Sequence, residues 1–355
     1  MPPDGADGLS RIGMAKLSTV QPDPTERPWP SLDPAALYGL PGEVERAIAP
    51  HTEADPVAIL IQFMVAAGNA IGRGPHYRVE GDIHGPNLFA VLVGVTAKAR
   101  KGTSWGRVRQ VMEVADPSWT PERVHSGLSS GEGVIWAVRD PIMGYEKVGK
   151  GATAKREMVE IDAGIVDKRL MLIEPEFAGS LTVMQRQGNI LSRVIRDSWD
   201  RGNLATLTKN TPARATGAHV SIVGHITENE LRATLDSVSI ANGYANRFLW
   251  IMARRAQILP FGGALNEEMI VDLGMRTRAA ITAARKVDRA MMTADARDAW
   301  RRVYPTLSEG KPGILGAITA RAEAQAIRLS LIFALLDYRA EISLDHLRAA
   351  LAIWE

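Results

Sequence analysis

The chain has 355 residues, a formal net charge of +2, 46% hydrophobic and 23% charged residues. That length suits one large domain or two smaller ones, and the composition is that of an ordinary globular protein able to bury a sizeable core. The absence of cysteine excludes disulfides, thiolate metal sites and a thiol nucleophile, the seven histidines show no pair at metal-ligand spacing, and the small net charge neither demands nor excludes nucleic acid.

Residues 1–34, with Pro22, Pro24, Pro28, Pro30 and Pro34, read as a flexible tail without the apolar stretch of a secretory signal. A small helical section is expected over 35–75. Thr52, Asp55 and Pro56 form a helix-start signature, and "VAILIQFMVAAGNAI" fits a buried helix ended by Gly72 and Gly74. Gln62 and Asn69 interrupt this run, which is shorter than the roughly 20 apolar residues that span a bilayer. His76–Gly81 alternates like a strand and is expected to pair with Leu88–Gly94.

Over 76–262, strands alternate with helices. Strands are expected at Leu88–Val93, Arg123–Ser126, Arg169–Ile173, His219–Gly224 and Arg247–Met252. Helices are expected at Gly102–Val114, Ser130–Val138, Ala178–Gly188, Ile190–Trp199 and Asn229–Leu235. That alternation predicts an α/β fold with a mostly parallel sheet covered on both faces. Two long polar loops, Gly144–Asp162 and Arg201–Gly217, interrupt the order. From 263 to 355 the chain reads as all helical, with Ser343 as an N-cap, and it stops inside a helical pattern as though the native chain continues.

The stretch "LFAVLVGVTAKARKGTSW" has the strand–loop–helix context of a phosphate-binding loop, but Lys101 precedes Gly102 where the usual pattern puts glycine before lysine. Gly94 leaves the strand, Lys101 can reach phosphates, and Thr103 or Ser104 can offer a hydroxyl to Mg²⁺, with Lys98 and Arg100 adding positive charge. Read alone, this loop is equally a basic loop at a sheet edge. "RLMLIEPEF" ends an apolar strand in Glu174 and Glu176, and "SGLSSGEG" places Glu132 at a strand-to-helix turn. Such carboxylates serve a metal or polarise a water in phosphoryl transfer, although Glu132 also suits a first-turn helix position. His225 and Thr227 follow the fourth strand, and Arg247 begins the last. Each singly reads also as a locally satisfied histidine or a surface arginine. Lys147, Lys150, Lys155 and Arg156 in one long loop, and Lys209 and Arg214 in the other, suit contacts to a phosphate backbone, as they suit a solvated loop.

Together "ARKGTS", "SGLSSGEG", "LMLIEPEF", "NGYANRFLW" and "RAEAQAIRLSLIFALLD" resemble the RecA-like P-loop ATPase core of hexameric helicases. The likeness is closest to an uncharacterised family seen as the C-terminal helicase-like part of plasmid and phage primase–helicase proteins, and it covers roughly residues 35–355. The resemblance implies a RecA-like P-loop ATPase core over 76–262 between the small N-terminal helical section and the C-terminal helical region. It implies ATP and Mg²⁺ at Gly94, Lys98, Arg100, Lys101, Gly102, Thr103 and Ser104, with His225 as a sensor. Glu174 or Glu176 would take the metal-side carboxylate place, Glu132 the catalytic carboxylate, and Arg247 the place of an arginine donated by a neighbouring subunit. A cytoplasmic homo-oligomeric ring or hexamer acting on single-stranded DNA follows, a helicase or translocase with a primase or other replication protein as partner and no membrane. The alternative is a nucleotide-binding DNA-binding or assembly component without turnover.

Overall fold

The computed structural model describes residues 29–96, 98–148, 155–207 and 213–354. The chain divides into a unit Met1–Ser31 and a compact unit Leu32–Glu355, and everything below concerns the second.

Two helices open it, α1 (Gly39–Ile48) and α2 (Pro56–Ile71). Asp55 starts α2 by accepting the Val57 backbone N–H, Pro56 supplies a preset φ at the first position, and Gly72 at φ 93° ends it. Every α2 residue from Ala58 to Ile71 is buried, so this helix is a core element rather than an amphipathic surface one.

The chain continues through β1 (His76–Val79), β2 (Asp82–His84), β3 (Phe89–Gly94), α3 (Lys101–Ala115), α4 (Trp119–Arg123), β4 (Val124–His125) and α5 (Gly131–Ala137). Next come β5 (Ile142–Val148), β6 (Lys155–Asp162), β7 (Arg169–Glu174), α6 (Phe177–Met184), α7 (Leu191–Asp200), β8 (Leu204–Ala205), β9 (Arg214–Ala215) and β10 (His219–Thr227). The rest is α8 (Glu228–Thr234), α9 (Ser237–Ala241), β11 (Phe248–Ala253), α10 (Glu267–Ala284), β12 (Arg289–Met292), α11 (Ala294–Ser308), α12 (Gly313–Thr319), α13 (Ala322–Leu336), β13 (Glu341–Ile342) and α14 (Leu344–Trp354).

The centre is a parallel sheet in the order β11-β3-β10-β7-β4. Side chains alternate across it. Ala90, Met171, Ile173, Val223 and Leu249 face α2, α3, α10 and α13, whereas Phe89, Val91, Leu170, Leu172, Ile222 and Phe248 face α5, α6 and α7. The expected parallel α/β sheet with both faces covered is therefore present, flanked by N- and C-terminal helices.

Three expectations need correction. β1 does not pair with β3. It turns back through Gly81 onto β2 and takes β12 as a parallel neighbour, in a separate sheet ordered β13-β12-β1-β2. The C-terminal region is not all helical, because β12 and β13 complete that sheet. Gly144–Asp162 is not a structureless loop: β5 and β6 form an antiparallel ribbon, with Tyr145 opposite Met158.

Candidate functional site

At the carboxyl end of the central sheet, Gly94 of β3 lies opposite Thr227 of β10. From β3 the chain enters α3 on one face of the sheet, and from β10 it enters α8, whose Leu231 packs with the other face. Neighbouring strands that send the chain to opposite faces leave a crevice at their ends, the usual ligand position of an open α/β sheet.

The β3–α3 connection is built around a folded-back lysine. A Cβ placed on Gly94 would sit 2.5 Å from Lys101 Nζ and 2.7 Å from Ala99 Cβ, so only glycine leaves room for this packing. Lys101 is 9% exposed. Burial lowers the pKa of its ammonium, the Glu230 carboxylate pulls the other way, and no carboxylate among the described residues pairs with it. Arg100, immediately before it, has φ 57°, the left-handed conformation that glycine adopts without strain. The glycine that the sequence pattern lacks before Lys101 is thus replaced in geometry by a strained arginine. Glu53 holds that arginine: its carboxylate lies 2.6 Å from Arg100 Nε, accepts from Arg255 Nη2 at 3.0 Å and from the Leu259 N–H at 2.9 Å. The Leu259 N–H is the main reason that the Glu53 pKa lies below the usual carboxylate range.

Helix α3 begins without a side-chain cap. Its first N–H groups therefore point into the crevice region without intrahelical acceptors, which favours an anion. A cleft of about 450 Å³ adjoins this end, bordered by Glu53, Arg100, Thr103, Arg107 and Arg255.

Beneath the loop runs a buried polar chain. His225 Nε2 meets Gln62 Oε1 at 3.1 Å, Gln62 Nε2 donates to Ser104 Oγ at 2.5 Å, and Ser104 Oγ donates to the Lys101 carbonyl at 2.6 Å. Because Gln62 Oε1 can only accept, His225 carries its proton on Nε2. Burial first, and then the charge of Lys101, hold the His225 pKa at about 4, so the ring is neutral near pH 7. Gln62 was not among the expected site residues. Its signal was present as a polar interruption of an otherwise apolar helix.

The structure brings Gly94, Arg100, Lys101, Gly102, Thr103, Ser104 and His225 together at this end. Thr103 is exposed, while Ser104 is fully buried and committed to Gln62 and the Lys101 carbonyl. Lys98 is exposed on the same connection.

Glu174 lies opposite Gly224, level with Val91 and two strands from β3, which puts its backbone roughly 14 Å from that of Gly94. Burial raises the Glu174 pKa, against hydrogen bonds from the Leu128 and Gly127 N–H groups and Ser180. Glu176 is exposed at the N-cap of α6 and Glu132 in the first turn of α5, the latter after the edge strand β4. Arg247 is elsewhere. It precedes Phe248, which lies opposite Phe89 at the amino end of β3, and it is 6% exposed with Nη2 2.5 Å from Asp200 Oδ2.

Of the residues expected to touch nucleic acid, Lys150 and Lys209 lie outside the described residues and Lys155 is placed only as the first residue of β6. Arg214 is exposed on β9, 3.8 Å from Asp140. Among the described residues no three His, Asp or Glu side chains converge on a metal position, and no helix is long and apolar enough to cross a membrane.

No family model matches this chain, and no curated protein matches it.

Proposed function

We propose that the protein binds ATP at the carboxyl end of β3 and β10 and uses it as an oligomeric motor of RecA-like fold acting on DNA. The observation that carries this reading is Lys101: a buried residue whose ammonium pairs with no carboxylate among the described residues, folded against Gly94 at the uncapped start of α3. An anion seated there would gain the lysine charge and the free N–H groups together. The residues fit a nucleotide phosphate. Gly94 keeps the cradle open, Lys101 supplies the charge, and the backbone of Lys101, Gly102 and Thr103 supplies donors.

Bound Mg²⁺ would neutralise phosphate charge. Since Mg²⁺ keeps several waters and needs few protein ligands, the absence of a preformed carboxylate cluster among the described residues is compatible with it. Thr103 is the hydroxyl open to such an ion. Glu174 is a buried carboxylate on the strand beside β10, and its two backbone donors fix its direction. The His225–Gln62–Ser104 chain joins the end of β10 to the first turn of α3, so a change at the loop is felt by the neighbouring strand.

A second reading, nucleotide binding without turnover, is favoured by one observation. Arg247 is buried in an ion pair with Asp200 at the opposite end of the strand, which leaves it committed within its own chain. Equilibrium binding of a fluorescent ATP analogue to wild type and Lys101→Ala tests the site: the variant loses binding at least tenfold, and unchanged affinity overturns the assignment. Release of phosphate, measured with and without single-stranded DNA, separates the two readings. DNA-stimulated turnover supports the motor, and tight binding without turnover supports the second.

A further inference from the structure

The amino end of the central sheet carries a separate concentration of charge. Arg328 is 1% exposed, and its guanidinium lies 3.6 Å from the centroid of the Trp199 ring. Arg321 and Arg247 approach the same ring at 5.1 and 5.8 Å. Arg73 adds its charge to the group, and Arg201 borders the same cleft. Among the described residues Asp200, Asp82 and Glu323 oppose these guanidiniums, and Asp200 is already taken up by Arg247 at 2.5 Å and Arg321 at 3.4 Å. Three carboxylates against five arginines leave the group with excess positive charge around the buried Arg328, where uncompensated charge is costly.

Several polar atoms there also lack a partner among the described residues. Arg328 gives Nη1 to the carbonyl and side chain of Asn87 and Nη2 to the Trp199 carbonyl, but its Nε has no acceptor among them. The Trp199 indole Nε1, 1% exposed as a residue, and His84 Nδ1 have no partner among them either. All three residues line a cleft of about 210 Å³ together with Asp82, Asp200, Arg201 and Arg321. At roughly 30 Å³ per liquid water this is room for about seven waters, far more than a single bridging one needs. Arginine and tryptophan can only donate, so a ligand complementary to this cleft is rich in acceptors and negatively charged.

We propose that this cleft binds a phosphate group, held by Arg201 and Arg321 from its accessible side and by Arg328 and Trp199 from its buried side. The site is distinct from the carboxyl end of the sheet, and the proposal does not rest on ATP binding there. A free phosphate and a phosphate of a nucleic-acid backbone share the chemistry.

The test uses the full chain carrying 5-fluorotryptophan, with the Trp199 resonance assigned through Trp199→Phe. Inorganic phosphate is titrated against a chloride control of equal ionic strength, and a short single-stranded oligothymidylate is titrated separately. The Trp199 resonance is expected to shift saturably with at least one of them. A shift with inorganic phosphate assigns a free anion, and a shift with the oligonucleotide alone assigns a backbone phosphate. Arg201→Ala and Arg321→Gln each weaken the response roughly tenfold, as loss of a charge-assisted bond does. Asp82→Asn tightens it by removing a competing charge, and Lys101→Ala leaves it unchanged. Arg201 is exposed, so its variant keeps the test available even where Arg321→Gln fails to fold. The proposal is overturned by a resonance that ignores both ligands, by a shift indifferent to Arg201 and Asp82, or by one that disappears in Lys101→Ala.

Discussion

Arg100 stands where a phosphate-loop pattern has glycine, and its backbone takes the left-handed conformation that favours glycine. Its φ of 57° costs a non-glycine residue about 1–2 kcal/mol, offset in part by the 2.6 Å contact with Glu53. Two substitutions separate these effects. Arg100→Gly loses the ion pair and the strain together, and its stability should stay within about 1 kcal/mol of wild type. Arg100→Ala loses the pair and keeps the strain, so it should be the less stable of the two by about 1 kcal/mol. Chemical denaturation of both measures the difference, and equal stabilities would show that the backbone there is unstrained. Gly94→Ala tests the opposite wall. Its Cβ would meet Lys101 Nζ at 2.5 Å, Ala99 Cβ at 2.7 Å and the Thr96 carbonyl at 3.0 Å. The lysine tip can move, but the other two cannot both move without reshaping the loop. Stability should fall by about 1–3 kcal/mol and analogue affinity at least tenfold, read by denaturation and fluorescence titration. A Gly94→Ala protein with wild-type affinity would mean that the loop is not the cradle. The sequence made Lys101 and Gly94 readable because residue type and strand–loop–helix context are local. It could not show Arg100 as the left-handed residue, since no arginine announces a positive φ, nor that Ser104 turns inward while Thr103 stays open.

At the scale of elements, the polar seam between α2 and β10 contributes to the response to acid. His219 and His225 lie six residues apart on one face of β10. Their Nε2 atoms meet the Gly68 carbonyl and Gln62 on α2. Asn69 of the same helix donates to the Leu170 and His219 carbonyls and to Ser221 Oγ, and accepts from Trp119 Nε1. Burial lowers the pKa of His219 from 6.5 to about 3 and that of His225 to about 4. Between those values and 6.5 the unfolded chain binds protons that the folded chain refuses. Stability is therefore full above pH 6.5 and is lost as pH falls through this window, by up to about 1.4 kcal/mol per unit for each histidine. His84, also lowered to about 4, and His346, lowered as well, contribute in the same sense, so His225→Gln should reduce the slope between pH 6.5 and 4.5 in denaturation curves by up to about 1.4 kcal/mol per unit rather than abolish it. An unchanged slope would mean that His225 is not the buried neutral ring described above. Gln62 and Asn69 were visible in the sequence as two polar residues in an apolar helix, but their partners on other elements are between 42 and 163 residues away. The ribbon of β5 and β6 and the short strands β12 and β13 were missed for a related reason. Four or fewer residues, as in β12 and β13, hold too little alternation to signal a strand, and pairing between β1 and β12 depends on packing that local pattern does not encode.

At the scale of the whole molecule, the residues expected to act together are divided between opposite ends of one sheet. Lys101, Thr103 and His225 stand at the carboxyl end and Arg247 at the amino end, six residues of strand or roughly 20 Å away. Among the described residues of one chain, the cationic groups at the end of the sheet with Lys101 include Lys98, Arg100, Arg107, Arg254 and Arg255, and Arg247 would reach phosphates there only from another copy. That sets a linked prediction. If ATP lies between copies, it binds the assembled form better than the single chain, and mass action requires ATP to shift the protein toward a larger assembly in proportion to that preference. Native mass measurement across protein concentration, with and without a slowly hydrolysed ATP analogue and single-stranded DNA, should show a nucleotide-dependent multiple of 38.5 kDa that Lys101→Ala does not form. The same analogue should raise the unfolding free energy of wild type by about 2.7 kcal/mol at one hundred times its dissociation constant, and not that of Lys101→Ala. The two measurements fail independently. A chain that stays single while gaining that stability keeps the nucleotide site and loses the ring. A chain that assembles without any nucleotide effect keeps an interface and loses the link between assembly and Lys101.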